Sequence, residues 1–108
     1  MKIDRIDIVR SGNDLEKYVM DFYKDGLAKG HLFDKGVLSH FTYYNIVAAG
    51  LQTREYAWVE AFIQGYRNAL ERSYRDSAFS FNMARLEFAR RRYDAALSLL
   101  RNANYHDP

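Results

Sequence analysis

The side chains able to do chemistry are scattered along this 108-residue chain. Its histidines are His31, His40 and His106, and none stands in a metal-ligating spacing such as His-Glu-x-x-His. There is no cysteine, so there is no disulfide framework and no thiolate. Gly26, Gly30 and Gly36 make no phosphate-binding run, and no serine lies in a nucleophile context. His40, beside a helix start, and His106 read as surface residues. Glu60 and Glu87 could meet where helices pack, although carboxylates on helices are far more often solvated than catalytic. The pattern argues for a non-catalytic chain with no cofactor and no metal.

Binding chemistry is better represented. Arg85, Arg90, Arg91, Arg92 and Arg101 suit acidic peptide or phosphate groups, while cations near a helix C-terminus also favour its dipole. Tyr43 and Tyr44 offer contact area at low entropic cost, or core packing. Asn45 and Asn82 carry amides that can both donate to and accept from an extended backbone, or bond within their own hairpins.

These residues fall on elements that the hydrophobic spacing predicts. Met1–Arg10 holds Ile3, Ile6, Ile8 and Val9 among charges, too short a stretch to assign. After Ser11-Gly12, Asn13 with Glu16 three residues on reads as a helix cap. Leu15, Tyr18, Val19, Phe22, Tyr23 and Leu27 then recur at helical spacing on one face of a helix over 14–29, and Gly30 stops it. Residues 31–38 read as a connector tucking Leu32, Phe33, Val37 and Leu38 under the helices. Ser39 caps a helix to Gln52, with Tyr43, Ile46, Val47, Gly50 and Leu51 inward. A turn at Thr53-Arg54-Glu55 leads to a third helix over 55–72. Asp76 caps a fourth, over 77–90, and a fifth runs over 93–102.

The last two helices hold small residues where backbones must approach, at Ala84, Ala96 and Ala103. Large apolar residues stand one turn away at Phe88, Tyr93, Leu97 and Leu100. Such a hairpin cannot bury its faces alone and stacks on neighbours. Sliding the chain on itself shows a repeat: Asn45 and Asn82, Arg54 and Arg91, and Tyr56 and Tyr93 are each 37 residues apart. Apolar character persists at Ile46/Met83, Val47/Ala84, Leu51/Phe88, Val59/Ala96 and Ile63/Leu100.

From Asn82 to Pro108 the chain resembles a tetratricopeptide repeat. Ala84 matches the family's early small residue and Tyr93 its aromatic after the turn. Ala96 with Leu100, Ala103 and the closing Pro108 match the second helix and its end. Glu87 stands where the family usually has tyrosine, and Arg91 where it usually has glycine. The upstream copy, over about 45–71, is a weaker match. Phe41-Thr42-Tyr43-Tyr44-Asn45-Ile46-Val47 resembles the opening of a pentatricopeptide repeat, an RNA-reading relative. The resemblance implies an all-α, right-handed stack of antiparallel helical hairpins with about five helices in one domain. It divides into a partial leading hairpin over 13–30 and hairpins over 39–72 and 76–103. The resemblance also implies a groove lined by the first helices, in which Asn45 and Asn82 hold a peptide backbone; Arg85, Tyr43 and Tyr44 are further candidates for that surface by their own position and chemistry.

Composition sets the remaining bounds. Aromatics are 16% and hydrophobics 48% of the chain, which argues against disorder. No apolar run approaches membrane-spanning length and no signal-peptide pattern opens the chain, so a cytoplasmic protein is expected. The net charge is +2, with every lysine at or before Lys35 and only arginines after it. The expected function is a scaffold for a protein or peptide partner, with RNA as the alternative ligand through the arginine-rich half. Neither end carries an obvious polar cap. The chain therefore reads as part of a longer repeat protein, or as one whose helix ends are covered by self-association.

Overall fold

The computed structural model describes residues 12–103. The readings at Met1–Arg10, His106 and Pro108, and at the side chains of Asn13 and Ala103, lie outside what it describes. The described chain is mostly helical, with a single two-stranded ribbon.

Helix α1 spans Gly12–Lys29. Its first helical residue is Gly12, two residues ahead of the expected start at Asp14. It ends at Gly30, whose φ of 77° lets the Gly30 N–H donate to Leu27 at 3.2 Å and the His31 N–H to Gly26 at 2.9 Å. The expected connector contains a ribbon, β1 (Phe33–Asp34) paired antiparallel with β2 (Val37–Leu38). Lys35 and Gly36 turn it with φ of 56° and 82°, the two positive values that a tight two-residue hairpin loop needs. Strands of two residues are too short for alternation to announce them. Leu38 is buried, Leu32 and Phe33 are packed against the core, and Val37 is exposed.

Ser39 caps α2 (His40–Gln52) as expected, its hydroxyl accepting from the Phe41 N–H at 3.1 Å. Helix α3 is shorter than its apolar stripe suggests, Tyr56–Gly65, and is followed by two 3-10 turns at Arg67–Ala69 and Arg72–Tyr74. The helix is interrupted after Gly65, a poor helix former. Beyond it Leu70 takes extended backbone, pairs with Leu38 in a parallel bridge, and is buried there. Arg75 secures this passage by donating to the carbonyls of Asn68 at 3.0 Å and Leu70 at 3.2 Å. Helix α4 accordingly starts at Arg75 and runs to Ala89. Asp76 is not its cap; it lies in the first turn and holds Arg67 at 2.8 Å. Helix α5 is Tyr93–Ala103.

The core gathers Leu38, Tyr43, Ile46, Val47, Val59, Phe62, Ile63, Leu70 and Leu86. Tyr43 lies at its centre, its hydroxyl donating to the Ile63 carbonyl at 2.6 Å and so tying α2 to α3. Burial pushes that hydroxyl's pKa above the ordinary tyrosine value, and the Arg67 charge pulls weakly the other way. Helix α1 joins this core through Met20 and Leu27. That corrects the expected face: Leu15, Tyr18, Val19 and Phe22 point away and are exposed. The helix is apolar on two sides, and spacing alone merged them.

The two hairpins, α2–α3 and α4–α5, turn in the same way. Arg54 and Arg91, aligned in the sequence, both take left-handed backbone, with φ of 60° and 66°. Each turn closes with the same pair of bonds: Arg54 N–H to Leu51 and Glu55 N–H to Gly50, then Arg91 N–H to Phe88 and Arg92 N–H to Glu87. Packing across the turns differs. In the first hairpin, a Cβ on Gly50 would lie 2.3 Å from Val59 Cγ2. In the second, the aligned positions carry Glu87 and Ala96, so the small residue has changed sides.

Two outcomes are expected. Gly50→Ala should cost about 1–3 kcal/mol by overpacking against Val59. Val59→Ala should recover part of that loss in the double variant, so urea melts of the four proteins should show coupling, and strict additivity would disprove the contact. Arg54→Gly and Arg91→Gly should each leave stability unchanged or raise it by up to about 1 kcal/mol, since glycine takes left-handed backbone without Cβ strain. A loss above that size in either melt would show that the arginine side chain matters more than the backbone angle.

Candidate interaction groove

Between α4 and α5 the chain leaves an apolar groove of about 560 Å³. Ala84 and Ala96 line it and are buried; their small side chains leave the space open. Phe81, Phe88, Tyr93, Leu97 and Leu100 form the walls, and Leu51 reaches in from α2. These walls are wet: Phe88 is 63% exposed and Leu97 55%. The rings of Phe88 and Tyr93 meet edge to face at 5.1 Å, which holds both upright across the α4–α5 turn.

Arg85 is the charged residue of the lining. It donates to the Asn82 side-chain oxygen at 2.8 Å and to the Tyr44 carbonyl at 3.3 Å, and its guanidinium lies 5.7 Å from the Phe81 ring centre. Partial burial lowers its pKa below the ordinary arginine value. Among the described residues it has neutral acceptors and no carboxylate partner.

The residues proposed from the sequence for peptide contact do not share one surface. Asn82 has no exposure; its amide donates to the Ala78 carbonyl at 2.8 Å while its oxygen takes Arg85. It is a structural residue of α4. Asn45 is exposed. The two differ because the residue aligned with Arg85 in the first hairpin is Ala48, which has nothing to offer an amide. Tyr43 is a core residue and not a groove residue. Tyr44 is half-buried, its ring 5.4 Å from Phe81 and 5.9 Å from His40. Arg85 alone of the five lines the groove, whose walls, apart from Phe81, are residues that the sequence assigned to stacking.

The basic run is largely neutralised within the chain. Arg90 holds Glu60 of α3 at 2.9 Å and lies 3.6 Å from Glu87, and Arg92 takes Glu87 at 3.2 Å. Glu60 and Glu87 thus meet through Arg90, in an ion network and not as an acid–base pair. Arg91 takes the turn and is exposed. With Arg54, Tyr56 and its neighbours it borders a second cleft, of about 500 Å³.

One pair escaped the sequence reading because its members are 31 residues apart. The His40 ring nitrogen Nδ1 lies 2.6 Å from Glu71 Oε1, and the His40 backbone N–H donates to the same oxygen at 3.1 Å. Tyr74 stacks on the imidazole at 3.7 Å. His40 is therefore largely enclosed and not a surface residue. Through both its ring and its backbone N–H, His40 clamps the start of α2 to Glu71. Lys24 makes a similar tie from α1, bonding Glu55 at 2.6 Å. Among the described residues there is no group of three or more side chains able to hold a metal, and no helix long and apolar enough to cross a membrane. Compared with protein-family models, with curated proteins and with solved structures, the chain matches none.

Both clamps predict acid sensitivity. The His40 side-chain bond, with its backbone N–H, holds Glu71 below the usual glutamate value of 4.5, and the Lys24 bond does the same for Glu55. A carboxylate whose folded pKa is depressed stabilises the fold fully above its unfolded pKa and loses that contribution as pH falls through the folded value. The melting temperature should therefore drop below about pH 4.5, and Glu71→Gln should make that drop shallower. Identical pH profiles for wild type and variant would remove Glu71 from the account.

Proposed function

We propose that the chain is a non-catalytic helical-repeat scaffold, tetratricopeptide-like in the way its hairpins stack, which holds an apolar segment of a protein partner in the groove between α4 and α5. The observation that carries this reading is the groove itself: contiguous aromatic and leucine walls, open to water, over a base of two alanines. Contiguous exposed apolar surface in a folded protein marks an interaction site more often than it marks accident. Its apolar walls suit side chains projecting from a helix at i, i+3, i+4 and i+7. The half-buried Arg85 favours a partner bringing a carboxylate to the rim.

The alternative, an RNA-binding repeat, has the cleft bordered by Arg54, Tyr56, Arg90, Arg91 and Arg92 in its favour. Against it, Arg90 and Arg92 already hold carboxylates.

Selection of peptides from a display library on the immobilised chain should enrich amphipathic sequences with apolar residues at helical spacing and an acidic flank. Leu97→Glu should abolish their capture. Enrichment indifferent to Leu97→Glu would remove the groove from the function. A steep fall of RNA affinity with salt, unaffected by that substitution, would transfer the function to the arginine cleft.

A further inference from the structure

The groove has an occupant of matching chemistry within the same sequence. Helix α1 exposes Leu15, Tyr18, Val19 and Phe22, spaced i, i+3, i+4 and i+7, so they form one continuous ridge on the side away from Met20. Phe22 is 69% exposed and Tyr18 63%. The ridge is convex and the groove concave, and they belong to opposite ends of the described chain.

Their charges also correspond. Asp21 and Asp25 lie along one flank of the ridge, and Asp25 pairs with the exposed Lys29 at 3.1 Å. In the groove lining stands Arg85, without a carboxylate partner among the described residues; beyond the lining, Arg101 follows one turn after Leu97 and is exposed. A helix bearing an apolar ridge and an acidic flank is what this lining suits.

We propose that the groove between α4 and α5 of one copy receives the α1 ridge of a second copy, joining the chains head to tail. This rests on the groove being the binding face. The contact is heterologous, since ridge and groove are different surfaces, so every added copy leaves one of each open and the chain extends or closes into a ring. Its size sets its strength. The four side chains of the ridge and the five of the groove walls, each about half covered already, bury on the order of 800 Å², the range of weak and transient interfaces. Assembly is therefore concentration-dependent.

Sedimentation velocity at rising concentration, up to about 0.5 mM to reach weak dissociation constants, tests this with two variants, Phe22→Glu and Leu97→Glu. Both positions are exposed, so the fold is retained, and Phe22→Ser and Leu97→Ser serve as uncharged counterparts. Wild type should pass from monomer to dimer and larger species. Each variant alone should stay monomeric. The equimolar mixture of Phe22→Glu with Leu97→Glu should form a dimer and stop there, because it pairs one intact groove with one intact ridge. A monomeric wild type would overturn the proposal, and so would a single variant that still dimerises, which would indicate a symmetric contact. A mixture that fails to pair would overturn it too. If wild type is monomeric yet captures peptides in a Leu97-dependent way, only self-association falls; if it does neither, the scaffold reading falls with it.

Discussion

The left-handed turn at Arg54 and again at Arg91 is the constraint on which the rest of the structure depends. One residue with positive φ, flanked by the two bonds that close the preceding helix, reverses the chain within three residues. Such a reversal leaves the second helix no choice of neighbour, because it must start beside the end of the first. It thereby decides which residues meet, as Gly50 does with Val59 in the first hairpin. A longer turn would relax the demand for a small residue at this crossing. Arginine is not the residue that sterics favour for the conformation, so the closing bonds and the packing beyond the turn must hold it there.

Polar groups inside the molecule are arranged so that most charge is answered locally. Glu87, nearly buried, is flanked by Arg90 and Arg92, and Arg90 extends the network to Glu60 on α3. Asn82, wholly buried, has both ends of its amide satisfied. Leaving either group unpaired would be strongly destabilising. The consequence for function is that the arginine-rich C-terminal half is less available to an anion than its composition suggests. What it leaves available at the groove is apolar surface and Arg85, which bonds Asn82 while lining the groove.

Much of the architecture was legible in the sequence. Helical spacing placed α1, α2 and α5 within a residue or two of their bounds, and Gly30 and Ser39 marked ends by mechanisms that local sequence carries. The 37-residue offset identified two turns that adopt the same backbone. Tertiary effects were not legible. Leu70 was drawn out of a helical stripe by its bridge to Leu38, and Arg75 displaced Asp76 as the feature defining the start of α4. The site was read least well, because Asn45 and Asn82 are equivalent in position but not in surroundings, and periodicity reports position. The merged faces of α1 show the same limit: a helix apolar on two sides gives one broad pattern, and only packing tells which side is covered.

The alignment of the two hairpins also bears on what the groove can accept. Tyr56, Val59, Glu60 and Ile63 on α3 correspond to Tyr93, Ala96, Leu97 and Leu100 on α5. On α3 the third of these positions is Glu60, which reaches the following hairpin and binds Arg90 at its turn. On α5 it is Leu97, exposed and unable to bind a cation. At the second, Val59 fills its crossing, whereas Ala96 leaves the space that becomes the groove. A further hairpin docking on α5 as α4–α5 docks on α3 would thus bring an arginine to a leucine and a shape fitted to valine to a void. The contact that joins the hairpins within the chain is ionic at this point, and the surface left at α5 is apolar and concave. On the scaffold reading proposed above, a segment seated there would present a ridge of large side chains, and an acidic group would suit Arg85, the cation of the lining.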